Sequence, residues 1–208
     1  MALLQGNSGQ TSKQVGQALT VGFGETSDVL VTELQARYYE NTYRGNKFGV
    51  TFPTAAAAVA SATALGAFVL FNPANSGKNL VIDDIVAQLI TFTAGATVVP
   101  LAVVAIPNQT PTSTGAGTTP TCTLIGSPNG SVAKTYVSGT TVGAPTVAFR
   151  HLAGWYTDLA AGDMGSSVKD EVAGAIVIAP GSGIQVVAFG TPSANTVSVS
   201  MTWDEIPI

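Results

Sequence analysis

From residue 48 onward the chain consists of short runs of Val, Ile, Thr, Phe and Ala, separated by turns rich in Gly, Pro and Asn. Runs such as GAFVLF, TVAFRHLAG and GIQVVAF alternate with turn segments such as NPANSG, SPNG and APGSG. Short strands at near-regular spacing with such turns are typical of a β-sandwich or a barrel. Helical segments do not alternate with these runs, which argues against a doubly wound α/β fold. The pattern therefore predicts an all-β fold.

Two local patterns support this prediction. The run TVSVSMTW places apolar and hydroxyl side chains at alternating positions. The apolar positions are Val197, Val199, Met201 and Trp203, and the hydroxyl positions are Ser198, Ser200 and Thr202. Because successive strand residues point to opposite faces, this strand should bury one face only. In IVIAPGSGIQVV, the residues Pro180, Gly181 and Gly183 predict a tight turn between two strands.

The distribution of charge divides the chain into three parts. Residues 1–24 contain one charged residue and isolated apolar residues, and we interpret them as an extended N-terminal arm, with a frayed terminus as the alternative. Residues 25–47 hold seven of the 20 charged residues and form a short helix and a linker, with the helix predicted over about 28–40. Residues 48–208 are predicted to form a single β-sandwich domain.

The low charge also limits the partners of the chain. Only 10% of its residues are charged, against about 25% in an average soluble domain. A net charge of −4 without a basic cluster argues against nucleic-acid binding. The stretch from Ile85 to Ala133 has no charged residue, which suits surfaces shared between subunits. The uncharged segment from Phe48 to Gly77 is too rich in Ala, Ser, Thr and Gly for a membrane span, so no membrane partner is predicted. The start MALLQGNSGQTSKQ has no basic region followed by an apolar run, so no secretory signal is predicted.

The residues that enzymes use are scarce. His151 is the only histidine, so a Ser-His-Asp triad would require it, and Cys122 with His151 is the only possible thiol pair. The sequence NSGKN lacks the spacing of a phosphate-binding loop and predicts a turn instead. Asp158, Asp163 and Asp170 match the spacing of no EF-hand loop, and a calcium site in a loop is the alternative that their carboxylates leave open. We therefore expect no catalytic residues, no cofactor and no metal.

Three segments resemble virion structural proteins of tailed bacteriophages. They are SDVLVTELQARYYENTYRGNKF, FNPANSGKNLVIDDIVAQ and the terminal SMTWDEIPI. The segment AGAIVIAPGSGIQVVAFG also resembles a jelly roll, a pattern that unrelated β-sandwiches share. The resemblance implies an assembly role and transfers no catalytic residue. With it, the expected fold is a jelly-roll-like antiparallel β-sandwich with an extended N-terminal arm and one short N-terminal helix.

The expected function is that of a capsid decoration or cement protein, located in the virion and assembled in the host cytoplasm. The expected partners are further copies of this chain, with a homotrimer favoured, and the major capsid protein or other virion proteins. A tail, baseplate or spike component with a receptor-binding or adaptor role is the alternative, and a major capsid protein is a weaker third reading. The candidate assembly contacts are Leu3, Leu4, Val15, Leu19, Val21, Phe23, Arg37, Tyr38, Tyr39, Tyr43 and Arg44.

Overall fold

The computed structural model describes residues 5–7, 18–20, 38–56, 64–65, 68–91, 97–113, 118–136, 140–141, 147–157, 167–188 and 196–208. Residues Met1–Arg44 and Gly45–Ile208 form two separate compact units. This boundary lies within the segment 25–47, for which the sequence predicts a helix and a linker.

The described residues of the first unit form three short elements. Strands β1 (Gln5–Asn7) and β2 (Ala18–Thr20) pair antiparallel, and helix α1 spans Tyr39–Tyr43. Most of the predicted helix, residues 28–37, lies outside the described residues. The described helix extends beyond the predicted end at residue 40, and the backbone N–H of Arg44 closes its last turn on Glu40 O at 3.0 Å.

The second unit consists of strands. They are β3 (Lys47–Ala56), β4 (Ala64–Leu65), β5 (Val69–Asn72), β6 (Lys78–Thr91), β7 (Thr97–Ile106), β8 (Thr112–Ser113), β9 (Thr121–Cys122), β10 (Lys134–Tyr136), β11 (Thr140–Thr141), β12 (Val147–Thr157), β13 (Ser167–Ile178), β14 (Ser182–Ala188) and β15 (Thr196–Pro207). Within the described ranges, no helix has the length and hydropathy of a membrane-spanning segment.

These strands form two five-stranded antiparallel sheets that pack face to face. The first sheet has the order β13-β6-β15-β3-β9, and the second has the order β10-β5-β14-β7-β12. Strands β4, β11 and β8 form a separate three-stranded sheet. The eight main strands pair first with last and inward from there, as β3–β15, β5–β14, β6–β13 and β7–β12. This nested pairing is the connectivity of a jelly roll. The predicted all-β antiparallel sandwich is confirmed, whereas most of the predicted N-terminal arm lies outside the described residues.

One continuous core lies between the two sheets. The predicted alternation in β15 is confirmed, because its four apolar side chains have no exposed surface. Trp203 stacks on Phe48 with ring centroids 6.5 Å apart, and Phe52 meets Phe68 edge-on at 5.7 Å. The second sheet contributes Leu70 to the same cluster. The C-terminal strand therefore lies at the centre of the core.

The outer faces of the two sheets differ. On the first sheet, Ser198 Oγ donates a hydrogen bond to Phe52 O at 2.9 Å, and Ser200 Oγ donates to Val50 O at 3.2 Å. Along β15, hydroxyl side chains on this half-exposed face thus satisfy backbone carbonyl groups of the neighbouring strand. On the second sheet, Val69, Phe71 and Ile106 form a separate buried cluster, against which Tyr136 packs.

Both turns predicted from short motifs are present. Between β13 and β14, Ser182 N–H donates to Ala179 O at 3.1 Å, and Gly181 has the positive φ of 82° that a glycine tolerates best. A Cβ at Gly183 would lie only 2.7 Å from Leu70 O, so the neighbouring strand requires a glycine there. The segment NSGKN forms the turn between β5 and β6, as expected.

Candidate functional site

Strands β12 and β13 form the edges of the two sheets on the same side of the sandwich. Arg150 on β12 binds Asp170 on β13 with two parallel hydrogen bonds of 2.6 and 2.7 Å. The hydrogen bonding of the guanidinium group to the Asp170 carboxylate raises the pKa of Arg150. In the described part of the chain, no strand pairs with the outer side of β12 or β13. Unpaired edge strands attract other chains unless they are protected.

The first half of β13 carries such protection. The pairing with β6 shifts between Glu171 and Ile176, and within this bulge Ala173 and Gly174 have φ angles of 50° and 83°. Lys169 lies 3.3 Å from Glu171 Oε1 and 3.4 Å from an oxygen of Asp84, and these hydrogen bonds raise its pKa. Bulges and charged side chains both discourage further strand pairing.

The second half of β13 has no comparable protection. Phe149 on β12 and Val177 on β13 are each about half exposed, with 50% and 54% of their surface accessible. They line an open groove of about 370 Å³, which we call the edge groove. The lining residues are Ala105, Ile106, Pro107, Phe149, Ala175, Ile176, Val177, Ile178, Ala179, Ser182, Gly183 and Ile184, and none of them is charged. An apolar groove on an edge pair is typical of a protein contact surface.

The candidate contacts predicted from the N-terminal sequence are only partly described. Leu3, Leu4, Val15, Val21, Phe23 and Arg37 lie outside the described residues, and Leu19 lies on β2 opposite Gly6. Tyr38, Tyr39, Tyr43 and Arg44 lie in or beside α1.

Two of the predicted tyrosines form an exposed stack. The rings of Tyr39 and Tyr43 are 5.8 Å apart with planes only 10° from parallel, and each residue is nearly half exposed. Arg44 pairs with Glu40 one helical turn before it. Because Tyr and Arg are enriched in protein interfaces, this helix face remains a candidate contact.

A second, polar groove lies where the loop before β9 meets the segment that leads into β10. It has a volume of about 510 Å³ and is lined by Thr118, Thr119, Pro120, Gly130, Ser131, Val132, Ala133, Lys134, Thr135 and Tyr136. Thr135 Oγ1 donates a hydrogen bond to Thr118 O, which joins the two segments. Partial burial raises the pKa of Tyr136. The sequence of the 107–121 loop contains no aromatic residue, and the fold supplies one from β10.

The structure separates the possible thiol pair. Cys122 is buried in the core on β9, at one edge of the first sheet, whereas His151 is exposed on β12 at the opposite side of the sandwich. Asp170 binds Arg150, and Asp158 and Asp163 lie outside the described residues. Among the described residues, no three His, Cys, Asp or Glu side chains are grouped as a metal site would require.

Two buried ionic clusters on the first sheet were not predicted from the sequence. Lys47 lies between Asp83 and Asp204, and Lys78 pairs with Glu205 at 2.9 Å. The adjacent acids Asp204 and Glu205 contact different lysines, as expected for successive residues of a strand, which point to opposite faces. Carboxylates from two different strands, Asp83 and Asp204, nevertheless meet at Lys47. Predicting this contact requires knowledge of the strand register. The sequence signal that could have indicated these clusters is the position of single charged residues, such as Lys47 and Lys78, at strand ends in a chain with few charges.

No protein-family model matches this chain, and neither do the curated proteins or the solved structures to which we compared it. Its function is therefore inferred from its own residues.

Proposed function

We propose that this chain is a structural protein of a tailed-phage virion that decorates or cements the capsid shell through oligomeric contacts and its N-terminal arm. The observation that carries the assembly role is the edge groove, which no charged residue lines and where two edge strands without a described partner strand expose apolar side chains. A jelly roll serves many functions, so the fold alone does not support this role. The assignment to a virion rests on the three sequence segments that resemble phage structural proteins.

The groove favours self-association or docking on another virion protein. A second chain covering Phe149 and Val177 would remove apolar surface from water, which stabilises association by about 25 cal/mol per Å² before the entropic costs of binding. The charged half of β13, with Lys169 and Glu171, would form a polar rim beside this apolar centre. A closed symmetric oligomer, with a trimer favoured, would leave no open edge of this kind.

A tail, baseplate or spike component that binds a receptor is the alternative, and the polar groove favours it. Tyr136 offers an aromatic ring, while Thr118, Ser131 and Lys134 offer hydrogen-bonding groups within the same groove. Sugar-binding sites combine an aromatic surface with hydroxyl and charged groups of this kind.

The copy number of the chain in purified phage particles tests the proposal. We expect quantitative mass spectrometry to give a stoichiometry close to that of the major capsid protein, because a cement protein repeats with the shell lattice. A small count, near a multiple of three or six, would favour the tail or spike alternative. Absence of the chain from the particles would overturn both assignments.

A charge in the edge groove should weaken oligomer formation. We expect Val177→Lys to shift the chain toward the monomer in analytical ultracentrifugation, because the lysine would be desolvated in an apolar contact. Gln88→Lys, at an exposed position of β6 outside the groove, is the matched control and should leave the distribution unchanged. An identical distribution for wild type and Val177→Lys would contradict a role of the edge groove in self-association.

A further inference from the structure

Three buried ionisable side chains meet on the outer face of the first sheet. Lys47 on β3 and Asp204 on β15 are direct partners in the ladder between these strands. Their neighbours Phe48 and Trp203 point into the core, so Lys47 and Asp204 point to the opposite face. The exposed fractions of the Lys47, Asp83 and Asp204 side chains are only 8%, 6% and 9%.

A β-bulge in β6 turns the Asp83 side chain toward Lys47 and Asp204. In the ladder with β15, Asp84 pairs with Thr202 and Ile82 pairs with Trp203, so Asp83 is the extra residue. In the ladder with β13, Asp84 and Ile82 have partner residues, and Asp83 again lies between them without a partner residue in β13. Bulges often redirect a side chain beside a functional site. Lys47 Nζ reaches over β15, donates to Asp83 Oδ2 and lies 3.8 Å from Asp204 Oδ1.

The composition of the cluster differs from that of an ordinary buried ion pair. It holds one amine and two carboxyl groups, and burying such unequal charges costs free energy. The other buried cluster provides a comparison, because Glu205 faces the single amine of Lys78 and also accepts hydrogen bonds from Ser131 Oγ and Val132 N–H at 2.6 and 2.9 Å. Lys78 and Glu205 are thus balanced as an ion pair, whereas Lys47 has a second carboxyl group beside its nitrogen.

We propose that Lys47 and Asp83 condense to an intramolecular isopeptide bond, with Asp204 carrying the proton. A proton passes from the Lys47 ammonium to the Asp83 carboxylate, leaving a neutral amine and a neutral acid. The amine nitrogen forms a bond to Asp83 Cγ, and the C–O bond to the hydroxyl group breaks. Asp204 takes one of the two protons from the nitrogen, which leaves the amide N–H, and delivers that proton to the leaving hydroxyl, so that one water molecule departs and Asp204 returns to its initial state. The condensation requires no oxidant, metal or cofactor.

The fold supplies the conditions for this reaction. The amine and the carboxyl group are held in contact by a rigid sheet, which replaces a bimolecular encounter with an intramolecular step. Exclusion of water limits hydrolysis of the product. The bond would connect β3 to β6 across the C-terminal strand and hold three adjacent strands together, independently of any role in a virion.

The mass of the intact, full-length protein tests this inference. We expect the denatured wild type to be lighter than its sequence mass by one water molecule. Tandem mass spectrometry of a digest should show the Lys47 and Asp83 peptides joined through their side chains. A wild type with the full sequence mass would overturn the proposal, and so would a junction between Lys47 and Asp204. These measurements need no variant, so they do not depend on the folding of any substitution.

Three variants identify the groups involved. Lys47→Arg keeps the charge but cannot form this amide, and Asp204→Asn removes the proton carrier, so we expect both to retain the full sequence mass. Lys78→Arg is the matched control at the neighbouring ionic cluster and should still lose one water. Loss of water in Lys47→Arg would instead point to dehydration at an aspartate alone and would contradict the proposal, as would an unchanged yield in Asp204→Asn.

Discussion

Replacing Trp203 with Ala is expected to lower the free energy of unfolding by about 3–5 kcal/mol, the range for large aromatic residues truncated in a core. Trp203 has no exposed surface and stacks on Phe48, and its strand lies between β6 and β3. The vacated volume would lie between rigid strands that cannot close around it. Urea denaturation followed by circular dichroism measures the change through the transition midpoint.

The matched control for this prediction is Ser200→Ala on the other face of β15. Ser200 makes one hydrogen bond to a backbone carbonyl and accepts another from Thr51, both at 3.2 Å on a partly exposed face. We expect it to cost about 1 kcal/mol. Equal destabilisation by the two substitutions would show that the two faces of β15 do not differ in burial as the structure describes.

Lys78→Met is expected to lower the free energy of unfolding by about 3 kcal/mol, because it leaves a buried carboxylate without its cation. Glu205 has no exposed surface, while the Lys78 side chain is 28% exposed. Ser131 and Val132 would still donate hydrogen bonds to the carboxylate, but neither carries a charge. The same denaturation experiment at neutral pH measures the loss.

Lys169→Met separates the effect of burial from that of losing a lysine. Lys169 also lies near carboxylates, Asp84 and Glu171, but its side chain is half exposed and water already solvates the pair. We expect no measurable change in stability, as for most exposed ion pairs. A loss at Lys169 equal to the loss at Lys78 would contradict the argument from burial.

These predictions and the proposed assembly role concern different parts of one sandwich. The stabilising contacts of Trp203 and Glu205 lie on β15, at the centre of the first sheet, where the other ten residues of the strand also pair with β6. The edge groove lies at the far side of that sheet, on β13. A substitution such as Val177→Lys can therefore change association while leaving the central ladders intact.

Local sequence patterns correctly predicted those features that depend only on residues close together in the chain. The alternation that ends at Trp203 predicted its buried face, and Gly181 predicted a turn, since both follow from strand geometry and backbone sterics alone. The helix was less well located. Its described part reaches Tyr43, because the stacked pair of Tyr39 and Tyr43 at successive turns extends the helix beyond the predicted end.

By itself, the sequence determined the all-β class, the turns and the alternation of β15, because neighbouring residues decide these features. Only the tertiary structure decided which strands pair, and therefore that Lys47 faces Asp83 and Asp204 and that Phe149 and Val177 share a groove. The physical reason is register. A shift of one residue would move every side chain of a strand to the other face, and pairing across more than a hundred residues is set by the whole core rather than by any local pattern.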